Sequence, residues 1–103
     1  MIDVAADLQD AVINLLQKTL RRNYWYAITV SLRPANNLAV EVRNLDLTYK
    51  TKICNKIKGL FRRNKFNYQF LEGTFSYDAN FILITKETAV NFMTLYKLNI
   101  LKL

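Results

Sequence analysis

Tyr24-Trp25-Tyr26-Ala27-Ile28-Thr29-Val30-Ser31-Leu32-Arg33-Pro34-Ala35-Asn36-Asn37-Leu38-Ala39-Val40-Glu41-Val42-Arg43 is the stretch that decides the fold. It alternates. Tyr26, Ile28, Val30 and Leu32 fall on one face, while Trp25, Ala27, Thr29, Ser31 and Arg33 fall on the other. Pro34-Ala35-Asn36-Asn37 is a turn by composition, and beyond it Leu38, Val40 and Val42 alternate with Ala39, Glu41 and Arg43. Two alternating runs joined by a turn predict a hairpin with one apolar and one wetter face. The sheet is therefore expected to be antiparallel and covered on one side only.

On the N-terminal side, Leu8, Val12, Leu15, Leu16 and Leu20 recur at helical spacing and predict a helix over roughly 3–22. Asp3 is its expected N-cap. Asp7 and Asp10 near the start, with Lys18, Arg21 and Arg22 at the end, complement the helix dipole. On the C-terminal side, Asp46 or Thr48 can cap a second helix running to about Arg63, with the stripe Tyr49, Ile53, Ile57, Leu60 and Phe61 turned inward. Phe66, Tyr68 and Phe70 open a further strand, whose phase slips near Leu71-Glu72-Gly73. Tyr77-Asp78-Ala79-Asn80 reads as a turn and Phe81 to Thr85 as a short buried strand, after which Thr85 can cap a last helix. Residues 89–103 are apolar nearly all round. Such a segment is either sandwiched in its own domain or a dimer contact.

The predicted order is α-β-β-α-β-β-α, an α+β fold in one domain spanning residues 1–103. The two αββ units echo each other. Leu20-Arg21-Arg22-Asn23-Tyr24 recurs as Phe61-Arg62-Arg63-Asn64, and at the same offset of 41 the apolar positions of the two helices align. At a helix end, arginine satisfies the dipole and asparagine tolerates the left-handed conformation, so the repeated Arg-Arg-Asn has a plain structural use. A pseudo-twofold domain could also present the two Arg-Arg pairs as matched phosphate contacts.

The charge is localised. The chain carries 15 Lys+Arg against 8 Asp+Glu, a net +7. No acid occurs between Asp46 and Glu72, and that stretch holds Lys50, Lys52, Lys56, Lys58, Arg62, Arg63 and Lys65. Those seven equal the whole net charge, since the remaining eight bases balance the eight acids. An ordinary exposed helix interleaves signs and gains i,i+4 pairs; this one accepts self-repulsion, which a polyanion would relieve. The plain alternative is a solvated lysine-rich face. Arg21, Arg22 and Arg33 would assist in phosphate binding. The wetter sheet face, with Trp25, Thr29, Arg33, Arg43, Asn67 and Gln69, could stack on or hydrogen-bond to bases. The plain alternative for Trp25, and the favoured one, is a core position beneath the last helix.

Catalytic equipment is sparse. The chain has no histidine and one cysteine, Cys54, which sits beside Ile53 as a small buried hydrophobe. Its two glycines, Gly59 and Gly73, cannot form a phosphate loop. No cofactor and no metal site are expected. A metal-dependent nuclease would need converging acids, for which Glu41, Asp46, Glu72 and Asp78 are the candidates. A lone cysteine requires no oxidising compartment, no apolar run approaches the ~18–20 residues of a membrane span, and the acidic start is unlike a secretory signal. These features predict a cytoplasmic protein, in the host cytoplasm if viral. The basic helix lacks the exposed apolar face that membrane binding needs.

From Tyr24 onward the β-β-α-β-β-α order resembles the double-wing DNA-binding domain of the middle-gene transcription activator of T4-type phages. Ala79-Asn80-Phe81-Ile82-Leu83-Ile84-Thr85-Lys86-Glu87-Thr88-Ala89 looks like that domain's final strand running into its last helix. The resemblance covers about the C-terminal two thirds of the chain and lacks that activator's separate N-terminal domain. It implies DNA contact through the exposed sheet and its wings, and it transfers no individual residue. The same order suits profilin-like and roadblock-like modules, which bind proteins. The expectation is a small basic binding protein of phage or mobile-element type. It would hold DNA or RNA through residues 50–65 and the exposed sheet face. The competing expectation is an adaptor or inhibitor that docks on an acidic protein surface, as a homodimer if the apolar C-terminus pairs.

Overall fold

The computed structural model describes residues 3–20, 27–43, 46–73 and 79–103. Seven elements follow in the expected order: α1 (Val4–Leu20), β1 (Ile28–Arg33), β2 (Asn37–Arg43), α2 (Leu47–Arg63), β3 (Gln69–Glu72), β4 (Ala79–Thr85) and α3 (Lys86–Lys97). The helix starts are capped as the sequence predicts. Asp3 Oδ1 accepts from the Ala6 N–H at 3.2 Å, Asp46 Oδ1 from the Thr48 N–H at 2.9 Å, and Thr85 Oγ1 from the Thr88 N–H at 3.1 Å.

The strands form one antiparallel sheet in the order β1-β2-β4-β3. Register sorts their side chains into two faces. Ile28, Val42, Asn80 and Glu72 make one row of the inner face, and Val30, Val40, Ile82 and Phe70 make the next. The core joins these apolar positions to Leu8, Val12, Leu15 and Leu16 of α1, Ile53, Ile57, Leu60 and Phe61 of α2, and Ala89, Phe92 and Met93 of α3. All three helices thus cover the same face. The outer rows, Thr29-Glu41-Phe81-Leu71 and Ser31-Ala39-Leu83-Gln69, contribute nothing to that core. Along the β1 edge, Gln9 of α1 accepts the outward Val30 N–H at 2.9 Å, which blunts that edge for pairing.

Exchanging the two hairpins leaves the strand order unchanged, so a pseudo-twofold relates them between β2 and β4. The structural offset, however, is not a constant 41. In the middle row Val30 corresponds to Phe70, 40 residues on, and Val40 to Ile82, 42 residues on. An odd offset would send each strand residue to the opposite face of the sheet. The second hairpin has a longer connection, which keeps both offsets even.

Three boundaries depart from the periodicity. β3 starts at Gln69 instead of Phe66, because Phe66 and Tyr68 turn onto the core: Phe66 lies 6.2 Å from Phe92 and Tyr68 lies 6.0 Å from Phe61, ring to ring. β4 starts at Ala79 instead of Phe81, because Ala79 and Asn80 pair with Arg43 and Val42. α3 stops at Lys97 instead of running to the end of the chain. There Asn99 takes a φ of 60°, and the Ile100 N–H reaches back to the Leu95 carbonyl at 3.0 Å, which closes a Schellman cap. The chain then doubles back to α2. Asn64 accepts the Lys102 N–H at 2.8 Å and donates to the Lys102 carbonyl at 2.9 Å. Leu98, Ile100 and Leu103 remain exposed, at 63%, 59% and 67%.

Candidate functional site

The outer side of α2 is built by the same periodicity that builds the core. Ile53, Ile57, Leu60 and Phe61 face the sheet, so positions about two residues out of phase with them face away. Thr48, Thr51, Lys52, Asn55, Lys56, Gly59, Arg62 and Arg63 line a shallow, open depression there. Four of these eight are cationic and none is acidic. Among the described residues, Lys52, Lys56, Arg62 and Arg63 make no ion pair. The Arg63 guanidinium folds back over Gly59, where a Cβ would meet its Nη1 at 3.0 Å. Lys65, exposed just past the helix end, extends the positive surface.

Two of the seven bases of the acid-free stretch are not on this side. Lys50 is buried, at 3% exposure, which corrects the expectation that it lies outward. Its spacing from Ile53 and Ile57 puts it on the inward stripe. Lys58 also leaves the outer side: half-buried, it places Nζ 4.0 Å from the centre of the Phe70 ring, a cation–π contact that directs it toward β3.

Arg33 does not join these cations either. It belongs to the outer face of the sheet, and its guanidinium lies 5.6 Å over the Phe81 ring. Because the helices fill the opposite face, the outer side of α2 and the outer face of the sheet point in opposite directions. One straight ligand cannot lie on both, contrary to the expectation that they act together. Arg43 on the sheet face pairs with Glu41 at 2.6 Å, an exposed pair of little energetic weight. Arg21, Arg22 and Trp25 lie outside the described residues.

Phe81 was expected to be buried, yet its register places it on the outer face of a central strand, half-covered. The run Phe81-Ile82-Leu83-Ile84 is apolar at every position, so nothing in it marks which pair points outward.

Cys54 is buried, and burial pushes its thiol up despite the opposing pull of Asn80, whose Nδ2 lies 3.7 Å from the sulfur, and of Lys58 and Lys50. Among the described residues no three His, Cys, Asp or Glu side chains converge as metal ligands. Asp46 is engaged as a helix cap, and Asp78 lies outside the described residues. The cavity between α1 and α2, closed by Leu103, holds only about 80 Å³, well below the size of an ordinary ligand pocket. No described helix is long and apolar enough to cross a membrane.

Fold and surface together define a two-layer α+β protein with a cationic depression on the outer side of α2 that no acid lines among the described residues. Comparison with protein-family models, curated proteins and solved structures finds no match for the chain.

Proposed function

We propose that this protein binds nucleic acid, holding phosphates on the outer side of α2. The observation that carries this reading is a surface of four long cations with no acid among its eight lining residues and, among the described residues, no ion pair made by any of the four. Such a face repels itself in isolation, and a polyanion relieves the repulsion while releasing condensed counterions. Thr48, Thr51 and Asn55 supply neutral donors between the cations. The sheet face is not needed for this contact, since it points the other way.

Titration with labelled DNA and RNA over a salt series tests the reading. With Lys52, Lys56 and Arg63 each meeting a phosphate, log K against log salt should fall with a slope of roughly −3 for a duplex. Lys52→Ala/Lys56→Ala should weaken binding to all sequences alike and reduce that slope by about 2. No complex with mixed DNA or RNA at ~50 mM salt would falsify the proposal.

A further inference from the structure

Within the cationic side of α2 the side chains are segregated by length. Thr48, Thr51, Asn55 and Gly59 recur every three or four residues and form the crest of the helix, directly opposite Ile53 and Ile57. All but Gly59 are exposed, and Gly59 is half-buried beneath Arg63. Lys52, Lys56 and Arg63 follow the flank of the crest toward α1, where Lys56 and Arg63 also border the α1–α2 cavity. Arg62 stands exposed at the C-terminal end. A helix with short polar groups on its crest and long cations on its flank can bring its backbone close to a surface lying between two rows of phosphates.

Resting on the reading above, we infer that the nucleic acid is double-stranded DNA, with the crest of α2 seated in the major groove and Asn55 and Arg62 facing base edges. A helix about 10–12 Å across fits the major groove of B-DNA, about 12 Å wide. The 17 residues of α2 run about 25 Å, enough to follow that groove over several base pairs. Asparagine pairs two hydrogen bonds with adenine and arginine two with guanine. Among the described residues, the side chains of Asn55 and Arg62 have no hydrogen-bond or ion-pair partner, so their donors are available. Gly59 sits where the closest approach would fall once the Arg63 guanidinium lying over it swings out to a phosphate, and a glycine inside a helix costs up to about 1 kcal/mol against alanine, an expense that a close approach explains.

The surroundings disfavour other nucleic acids. Single strands are held by a cationic groove together with stacking of their bases on aromatic rings. None of the described aromatic residues is fully exposed; the crest carries none, and Phe81 faces the other way. Duplex RNA has a major groove too narrow and deep for side chains to read.

The test is a set of titrations with a 20-base-pair DNA duplex, its single strand and the matching RNA duplex, together with selection from DNA duplexes having a randomised core. The DNA duplex should bind at least tenfold more tightly than the other two, and selection should enrich a short motif. On the enriched site Asn55→Ala and Arg62→Lys should each lose tenfold or more, while affinity for random duplex changes less than threefold. Equal or tighter binding of single strands or duplex RNA overturns the inference and leaves the phosphate-binding reading intact. So does the absence of an enriched motif, or an equal loss on enriched and random sites. Failure to bind any of the three sinks both.

Discussion

Lys65 stands in a backbone conformation that lysine seldom adopts. Its φ of 59° places it at the left-handed position of the cap on α2, where its own N–H reaches the Arg62 carbonyl at 3.0 Å and the Phe66 N–H reaches the Phe61 carbonyl at 2.9 Å. Asn64, the residue that composition suggests for this position, has a φ of −95° and serves instead as a clamp for the returning chain. A left-handed β-carbon costs roughly 1 kcal/mol that glycine would not incur. Lys65→Gly is therefore expected to stabilise the fold by about 1 kcal/mol, read as a higher urea midpoint at unchanged m-value. A lower midpoint would show that the lysine side chain contributes more than the strain removes. Lys50 teaches the converse lesson. Its burial follows from spacing to Ile53 and Ile57 that is visible in the sequence, but its charge argues for the surface. Burial on one stripe overrides residue type when five buried apolar residues of the same helix, Ile53, Cys54, Ile57, Leu60 and Phe61, already fix which side faces in.

At the scale of the element, α2 carries two demands that meet at Gly59. Helix propensity favours alanine there by about 0.5–1 kcal/mol. Against it, a new Cβ would touch the Arg63 guanidinium at 3.0 Å, and that group is the far end of a flexible chain free to swing outward. The propensity gain should win. Gly59→Ala is expected to raise the unfolding free energy by roughly 0.5–1 kcal/mol in denaturant titration, and a decrease would mean that the folded-back arginine packs more favourably than its exposure suggests. The helices and their starts were legible in the sequence because caps and apolar stripes are set by near neighbours. The end of α3 was not. Nothing in the apolar run 89–103 marks Asn99 as its stop until the exposed segment beyond it finds Asn64, a partner far away in the chain.

For the whole molecule, the decisive fact is that its two polar surfaces lie back to back. The shortest dimension is 24 Å, about three Debye lengths at 0.15 M salt. Charges on the sheet face should therefore be screened from a polyanion held on α2. Arg33→Ala/Arg43→Ala is expected to leave affinity for duplex DNA within about twofold at that salt, in contrast to the Lys52/Lys56 pair. A large loss from the sheet-face pair would show that the ligand wraps around the molecule or binds the sheet, as the double-wing resemblance implies. By itself the sequence determined the order α-β-β-α-β-β-α, the one-sided covering of the sheet and the acid-free stretch before Glu72, because periodicity, capping and charge are carried by residues close together in the chain. Only the tertiary structure decided which of those charges share a surface. Pairing β2 with β4 stacks all three helices on one face, and that long-range register, invisible to local patterns, draws Lys58 toward Phe70 and puts Arg33 on the far side from Arg62 and Arg63.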